Sequence, residues 1–161
     1  MFACQCKCIY IFFMTYPTDE TVQTWIRMIR AYNQSMSEIE QALSDSDFPP
    51  LSWYDMLLEL ERAGNNGLRQ YELERALLLK QYSVSRLVEK IEKKKYLKRE
   101  ASKDDGRGKV IIITEKGKDL RQRMWHIYGP KIEAVIGQKL SPEECRELNS
   151  LLGNLISEPH N

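Results

Sequence analysis

Histidine is scarce in this chain: there are two in 161 residues, His126 within a helical stretch and His160 in the tail. Neither is placed to serve a serine or cysteine nucleophile as its base, and the sequence has no phosphate-binding glycine loop and no paired-histidine motif. An enzyme reading has little to stand on, so no catalytic residue, metal or cofactor is expected. Long apolar runs are missing as well. None approaches the ~20 residues that a membrane span needs, so a soluble protein with no membrane partner is expected. Cysteine occurs four times, three of them in Cys4-Gln5-Cys6-Lys7-Cys8. That is no disulfide framework in a chain with this much apolar periodicity, and a reducing cytoplasm fits it best. Cys145, inside a helix, reads as a partly buried structural thiol rather than an oxidation sensor.

Residues 1–17 differ from everything after them and read as a leader without regular structure. Ile9-Tyr10-Ile11-Phe12-Phe13 could pass for a short signal-peptide core, but it lacks a basic start and a small-residue cleavage site. The leading reading places the true start of translation at Met14. A metal clip and a redox trigger compete with it; the clip would need a fourth ligand that nothing nearby offers. No function is assigned to this segment or to the tail, residues 157–161.

What the rest contains is apolar periodicity and a divided charge. The formal net charge is +1. Asp19 to Arg75 carries 5 Lys or Arg against 11 Asp or Glu, whereas Arg86 to Lys118 carries 12 against 6. Segments of about −6 and +6 therefore balance, and the basic one is local. Such runs are often only solvated faces, which is the bland reading to be weighed against a ligand. The length suits one domain with a proper core.

The first helix starts at Thr18 or Asp19 and reaches about Leu43. Trp25, Ile29, Tyr32, Met36, Ile39 and Leu43 alternate four and three apart along it, a seam suited to helix-on-helix packing. After the polar stretch Ser44 to Pro50, a second helix is expected with Ser52 as N-cap, Asp55 as its capping-box partner and Leu51 with Met56 as a staple. It should end near Ala63. Gly64-Asn65-Asn66-Gly67 is a break, and Leu68 to Leu79 reads as a third helix packed through Tyr71, Leu73 and Leu77. Periodicity alone would let that helix run on into Gln81.

From Gln81 to Gly117 the pattern changes character. Ser83, Val84, Leu87, Val88, Ile91 and Tyr96 make an apolar stripe, while Ser85, Arg86, Lys90, Lys93 and Lys94 occupy the opposite face. Leu97-Lys98-Arg99-Glu100-Ala101 and Lys109-Val110-Ile111-Ile112-Ile113-Thr114 read as two strands. The turn between them holds Asp105-Gly106-Arg107-Gly108. A basic helix followed by a hairpin with Arg107 at its tip suits a nucleic-acid duplex: the helix can enter the major groove while the arginine reaches phosphate or the minor groove. Tyr82, Ser83, Ser85 and Arg86, at the helix start, should reach base edges or the first phosphates. Lys90 and Lys94 should meet the backbone, and Lys109 belongs to the same basic surface.

Thr114 can then cap a long helix reaching to about Gln138, with Leu120, Met124, Ile127 and Val135 on one side. Gly129-Pro130 should kink it. Ser141-Pro142-Glu143-Glu144 is a strong helix start, and Leu148, Leu151, Leu152, Leu155 and Ile156 form an apolar stripe that wants a partner.

Ser83 to Glu92, then Asp105-x-Arg107 and Thr114-x-x-Gly117, together resemble the winged helix-turn-helix regulators of the MarR family. The likeness extends from about Thr18 to Ile156. It implies a mainly α fold with a small β-hairpin wing: a winged helix DNA-binding lobe over residues 48–117, with dimerisation helices at 18–44 and 118–156 making a single domain, 18–156. It places a turn near Leu79-Lys80-Gln81 and has Asp105 orient Arg107. It also implies a homodimer that binds a pseudo-palindromic operator in double-stranded DNA, a repressor released by a small aromatic or phenolic effector. The effector pocket would be walled by Trp25, Met28, Tyr32, Trp53, Tyr54 and Trp125, although aromatic stripes of this kind also simply fill cores. Where the family usually has glycine after the recognition helix, this chain has Lys95. A lysine at positive φ costs about 1 kcal/mol, so a different helix ending is expected. The alternative function is a winged-helix module that binds a protein or RNA through the same basic face.

Overall fold

The computed structural model describes residues 16–77, 81–101 and 108–156, and of Gln81 and Tyr82 the backbone alone. The chain divides into two compact units, Met1–Gln34 and Ser35–Asn161. Helix α1 spans Asp19–Asp45, so its residues up to Gln34 belong to the first unit. That part begins where the Thr18 hydroxyl accepts the Thr21 N–H at 3.3 Å and the Thr18 carbonyl accepts that of Val22 at 3.0 Å. Its apolar seam is bare: Trp25 is 60% and Tyr32 61% exposed, with Val22 and Ile29 exposed beside them.

In the second unit one core gathers residues from every element that precedes the C-terminal helix. Ile39 and Leu43 come from the end of α1, and Leu51, Tyr54, Met56, Leu57 and Leu60 from α2 (Leu51–Ala63). Leu73 is the contribution of α3 (Gln70–Ala76), and Val84, Val88 and Ile91 that of α4 (Gln81–Lys93). Leu97 of β1 (Leu97–Ala101), Ile111 and Ile113 of β2 (Lys109–Ile113), and Leu120 and Met124 of α5 (Glu115–Ile132) complete it with Val135. Four-and-three spacing in the helices and two-residue spacing in β2 put these side chains inside.

The start of α2 differs from the sequence expectation. Ser52 and Asp55 do not form a capping box; the helix begins at Leu51 after Pro50, with no side-chain cap from its own first turn. The reason is a carboxylate supplied from α1. The Leu51 N–H donates to both oxygens of Glu40, at 3.1 and 3.2 Å. A carboxylate there meets the orphan donors and the positive end of the helix dipole together.

The third helix is shorter than Leu68 to Leu79. It starts where the Arg69 N–H donates to the Glu72 carboxylate at 2.6 Å, and Leu77 is a turn residue; Leu78 and Leu79 lie outside the described residues. Leu68 is withdrawn from it by a bridge to β2, exchanging hydrogen bonds of 3.0 and 2.8 Å with Ile111. Gly67, at φ +65°, allows that approach, since a Cβ on it would lie 2.6 Å from the Ile111 carbonyl oxygen. Tyr71 is not a packing residue. It is 51% exposed, because the single buried position of so short a helix is taken by Leu73.

β1 and β2 pair antiparallel from Leu97↔Ile113 to Ala101↔Lys109. The joint where α4, β1 and α5 meet is the most heavily bonded corner. Lys95 stands at φ +65°, and the Tyr96 N–H donates to Ile91 O (3.2 Å) while the Lys95 N–H donates to Glu92 O (2.7 Å). This is the Schellman ending that glycine normally provides, so the helix does not end differently for want of one. Neighbouring bonds offset the strain. The Thr114 hydroxyl donates to Lys95 O at 2.8 Å and accepts the Gly117 N–H at 3.1 Å, and the Thr114 N–H donates to Tyr96 O at 3.1 Å. A Cβ on Gly117 would sit far inside the contact distance of that same Tyr96 oxygen.

α5 runs through Pro130 to Ile132, and the chain then widens into a π turn, Glu133–Gly137, closed by a 2.8 Å bond from Gln138 N–H to Glu133 O. Proline cannot donate to the preceding turn, but the ladder resumes beyond it, with the Glu133 N–H bonded to Gly129 O, before the spacing lengthens. α6 (Pro142–Gly153) has the expected capping box: Ser141 Oγ accepts from Glu144 N–H at 3.2 Å and Glu144 Oε2 from Ser141 N–H at 2.8 Å. Its Leu148, Leu151 and Leu152, with Leu155 and Ile156 beyond, are exposed. Among the described residues no helix is long and apolar enough to cross a membrane.

The corner yields opposite expectations for two substitutions. Lys95→Gly relieves the positive φ and should raise stability by up to about 1 kcal/mol. Gly117→Ala forces Thr114 and Tyr96 apart and should lower it by roughly 1–3 kcal/mol. Denaturant unfolding of both variants checks the pair of signs.

Candidate nucleic-acid interface

The face of α4 opposite its buried stripe carries the basic residues. Arg86, Lys90 and Lys93 are exposed on it, Lys94 is exposed just past its end, and Lys109 is exposed on β2. Ser83 and Ser85 are half-buried on the same helix. Tyr82 lies in its first turn. Asp105 and Arg107 lie outside the described residues; the strands that carry them are paired up to Ala101↔Lys109.

Other charges around this face are engaged with neighbouring elements. The Lys116 Nζ donates to Lys94 O at 3.1 Å and stands 4.6 Å above the Tyr96 ring, so it closes the C-terminal end of α4. Arg99 Nη1 donates to Glu92 Oε2 at 2.6 Å, linking β1 to α4. Gly108 lies against Arg69, where an added Cβ would be 3.4 Å from Nη1. None of these three cations was singled out from the sequence. Lys116 carried a signal, since it lies between Thr114 and Gly117; Arg69 carried none, because its nearness to the hairpin depends on the Leu68 bridge.

The aromatic residues expected to wall a pocket fall in both units. Trp25, Met28 and Tyr32 belong to the first unit and Trp53, Tyr54 and Trp125 to the second. Tyr54 stacks on Trp125 with ring centroids 6.0 Å apart. Tyr128 meets both edge-on, at 5.1 and 5.8 Å. Tyr128 was missed, although it lies three residues after Trp125 on the same helix. Trp53 does not join them; its ring meets the Tyr96 ring at 6.0 Å. Arg121 lies 6.0 Å from the Tyr54 ring and is ion-paired with Glu61.

This cluster is flanked by acid. Burial, and then the nearby Glu40 and Glu59 carboxylates, push the Asp55 carboxyl above its ordinary 3.8. Burial, and then Asp55 and Tyr54, push the Tyr128 phenol above its ordinary 10.0. The thiol of Cys145 is half-buried, 4.0 Å from the Leu140 carbonyl oxygen.

Helix α3 packed on α4, a hairpin after it, and a short bridge from Leu68 to the hairpin define a winged helix-turn-helix. The sequence profile of the MarR family matches residues 46–108. An uncharacterised helix-turn-helix transcriptional regulator of Bacillus cereus is 31% identical over 107 residues, covering 65% of this chain and 69% of that protein. The regulator MhqR of Bacillus subtilis is 28% identical over 147 residues, 89% of this chain and 99% of its own. Among solved structures, Sco3205, a MarR family transcriptional regulator from Streptomyces coelicolor in complex with DNA, superposes with a TM-score of 0.80 at 22% identity, covering 88% of each chain. The chain belongs to the MarR family. It is accordingly a transcriptional regulator and not an enzyme.

The acid at the aromatic cluster gives a pH-dependent expectation. A carboxyl whose folded pKa is raised costs stability while ionised, and the cost disappears as the pH falls through the folded value to below 3.8. Asp55→Asn should therefore raise the Tm at pH 7, with the difference from wild type vanishing as the pH is lowered past 3.8, as read by calorimetry at a series of pH values.

Proposed function

We propose that the protein is a homodimeric, sequence-specific regulator that binds a pseudo-palindromic operator in double-stranded DNA and represses until a small aromatic or phenolic compound releases it. The observation that carries the DNA reading is the outward face of α4, where Arg86, Lys90 and Lys93 stand exposed over a fully buried Val84-Val88-Ile91 stripe. Burying one face fixes the helix in the lobe and leaves the other for a groove. The DNA-bound Streptomyces relative supports the reading. On this proposal Tyr82, Ser83, Ser85 and Arg86 reach base edges or the first phosphates, Lys90, Lys94 and Lys109 meet the backbone, and Asp105 orients Arg107 toward phosphate or the minor groove. Twofold assembly is supported by two bare apolar seams, Val22-Trp25-Ile29-Tyr32 and Leu148-Leu151-Leu152-Leu155. In the domain scheme that follows, residues 48–117 are the DNA-binding lobe and residues 18–44 with 118–156 the dimerisation helices. The protein is expected to work in the cytoplasm.

The two kinds of contact separate on substitution. Arg86→Ala should change which duplex sequences are preferred. Lys90→Ala should weaken all duplexes alike and reduce the salt slope of log K by about one unit. Anisotropy titrations against a selected and a scrambled duplex at several salt concentrations check this. Parallel, sequence-independent losses from both variants would remove direct readout, and preference for RNA or a protein over any duplex would favour the alternative function.

Effector release rests on the Tyr54, Trp125 and Tyr128 cluster of the second unit. An effector that weakens DNA binding ~100-fold must lose ~2.7 kcal/mol of its own affinity when DNA is bound. Tryptophan fluorescence titrated with aromatic acids and phenols, with and without the selected duplex, measures that loss. Binding equal in both conditions, or no binding, would exclude this form of control.

A further inference from the structure

The pair Glu92–Arg99 joins the last turn of α4 to the middle of β1. Its N···O distance is 2.6 Å and its side chains are 33% and 28% exposed. The surface pairs Arg146–Glu143, Arg123–Asp119 and Lys118–Glu115 lie each within one helix, and each has at least one side chain more than 60% exposed. Such pairs contribute little, whereas one that is two-thirds buried and spans two elements constrains their relative position. Arg99 is two residues from Leu97 and so shares its face of the hairpin, and it lies opposite Ile111. Leu97 and Ile111 are core residues. The pair thus continues the contact between helix and hairpin outward from the point where the apolar core stops. Closer to the base the hairpin is held by Leu97 and Ile113, and at the level of Arg99 the Leu68 bridge holds β2 while the pair holds β1.

We infer that Glu92–Arg99 is a brace that fixes the angle between the wing and the recognition helix, and that selection of the operator depends on it. This rests on the DNA reading above. Two elements that contact one duplex contribute together only if their separation is set beforehand; a pivoting wing must be ordered on binding, which weakens the site that needs both contacts. Glu92 is therefore a positioning residue, and its charge makes the idea testable by sign. A carboxylate next to a phosphate-binding face opposes any duplex by simple electrostatics, so neutralising it would by charge alone tighten binding to every sequence. A brace predicts the reverse for the selected sequence.

The test uses the full chain, a duplex selected from random sequence by the wild type, and a scrambled duplex. Glu92→Gln and Arg99→Gln should each weaken the selected duplex by about tenfold. Glu92→Gln should leave the scrambled duplex unchanged or tighter, and Glu92→Arg combined with Arg99→Glu should recover most of the loss. Hydrogen exchange without DNA gives a second readout: in Glu92→Gln the amides of Glu100 and Val110, which face each other across the hairpin, should exchange faster while those of Leu57 and Leu60 do not change. Parallel tightening toward both duplexes, or unchanged exchange in the hairpin, would overturn the brace. If the wild type selects no duplex, the DNA reading fails, while the exchange result still decides whether the brace exists.

Discussion

The hydroxyl of Thr114 is the point on which the arrangement of the second unit depends. It donates to the carbonyl of Lys95, the left-handed residue that ends α4, and accepts from Gly117, the third residue of α5. Its own N–H holds Tyr96. One residue thus ends α4, anchors the first strand and starts the long helix that follows the hairpin. Each bond is worth about 1 kcal/mol net, so three of them outweigh the cost of a lysine at positive φ. Their larger effect is directional. α4 cannot tilt relative to α5 without stretching bonds that also cap both helices.

The same economy appears at the start of α2, where Glu40 does for a helix eleven residues away what a local N-cap usually does. The arrangement concentrates acid at one place: Glu40, Asp55 and Glu59 lie close enough to one another to disfavour ionisation of Asp55. Tyr54, one residue before Asp55, is stacked on Trp125. The acidic segment seen in the sequence is therefore not only a solvated face. Part of it caps a helix, and part surrounds an aromatic cluster.

What was legible in the sequence follows a simple physical line. Thr114 and the Ser141-Pro142-Glu143-Glu144 start were readable because each cap is completed within four residues. The two strands were readable because Leu97, Ile111 and Ile113 sit among alternating residues between turn signals, whereas their register came only with the structure. Ser52 misled because it had the right neighbours but a distant carboxylate reached the helix first. Lys95 misled because the bonds that hold its strained backbone come from nineteen residues ahead. Tyr71 looked like core by spacing, yet a seven-residue helix has room for one inward position, and Leu73 holds it. Of the interface, the basic stripe of α4 was plain from its period, whereas the engagement of Lys116 and Arg99 was not, since both partners lie on other elements. The aromatic set divided because residues on one face of a helix do not reveal which ring on another element they will meet.

The bridge between Leu68 and Ile111 has a consequence for how such a protein can change. A strand pair held only by its own turn depends on that turn for register, and a slip of one residue would exchange its inward and outward faces. Here β2 is held from the far side as well, by a segment that precedes α3, and Gly67 allows the two backbones to meet. The frame of the hairpin is therefore independent of the residues that close it. Lengthening or rewriting that closure costs only loop entropy, about 0.6 kcal/mol per doubling. That closure can change with the paired strands and the Leu68 bridge beneath it unaltered.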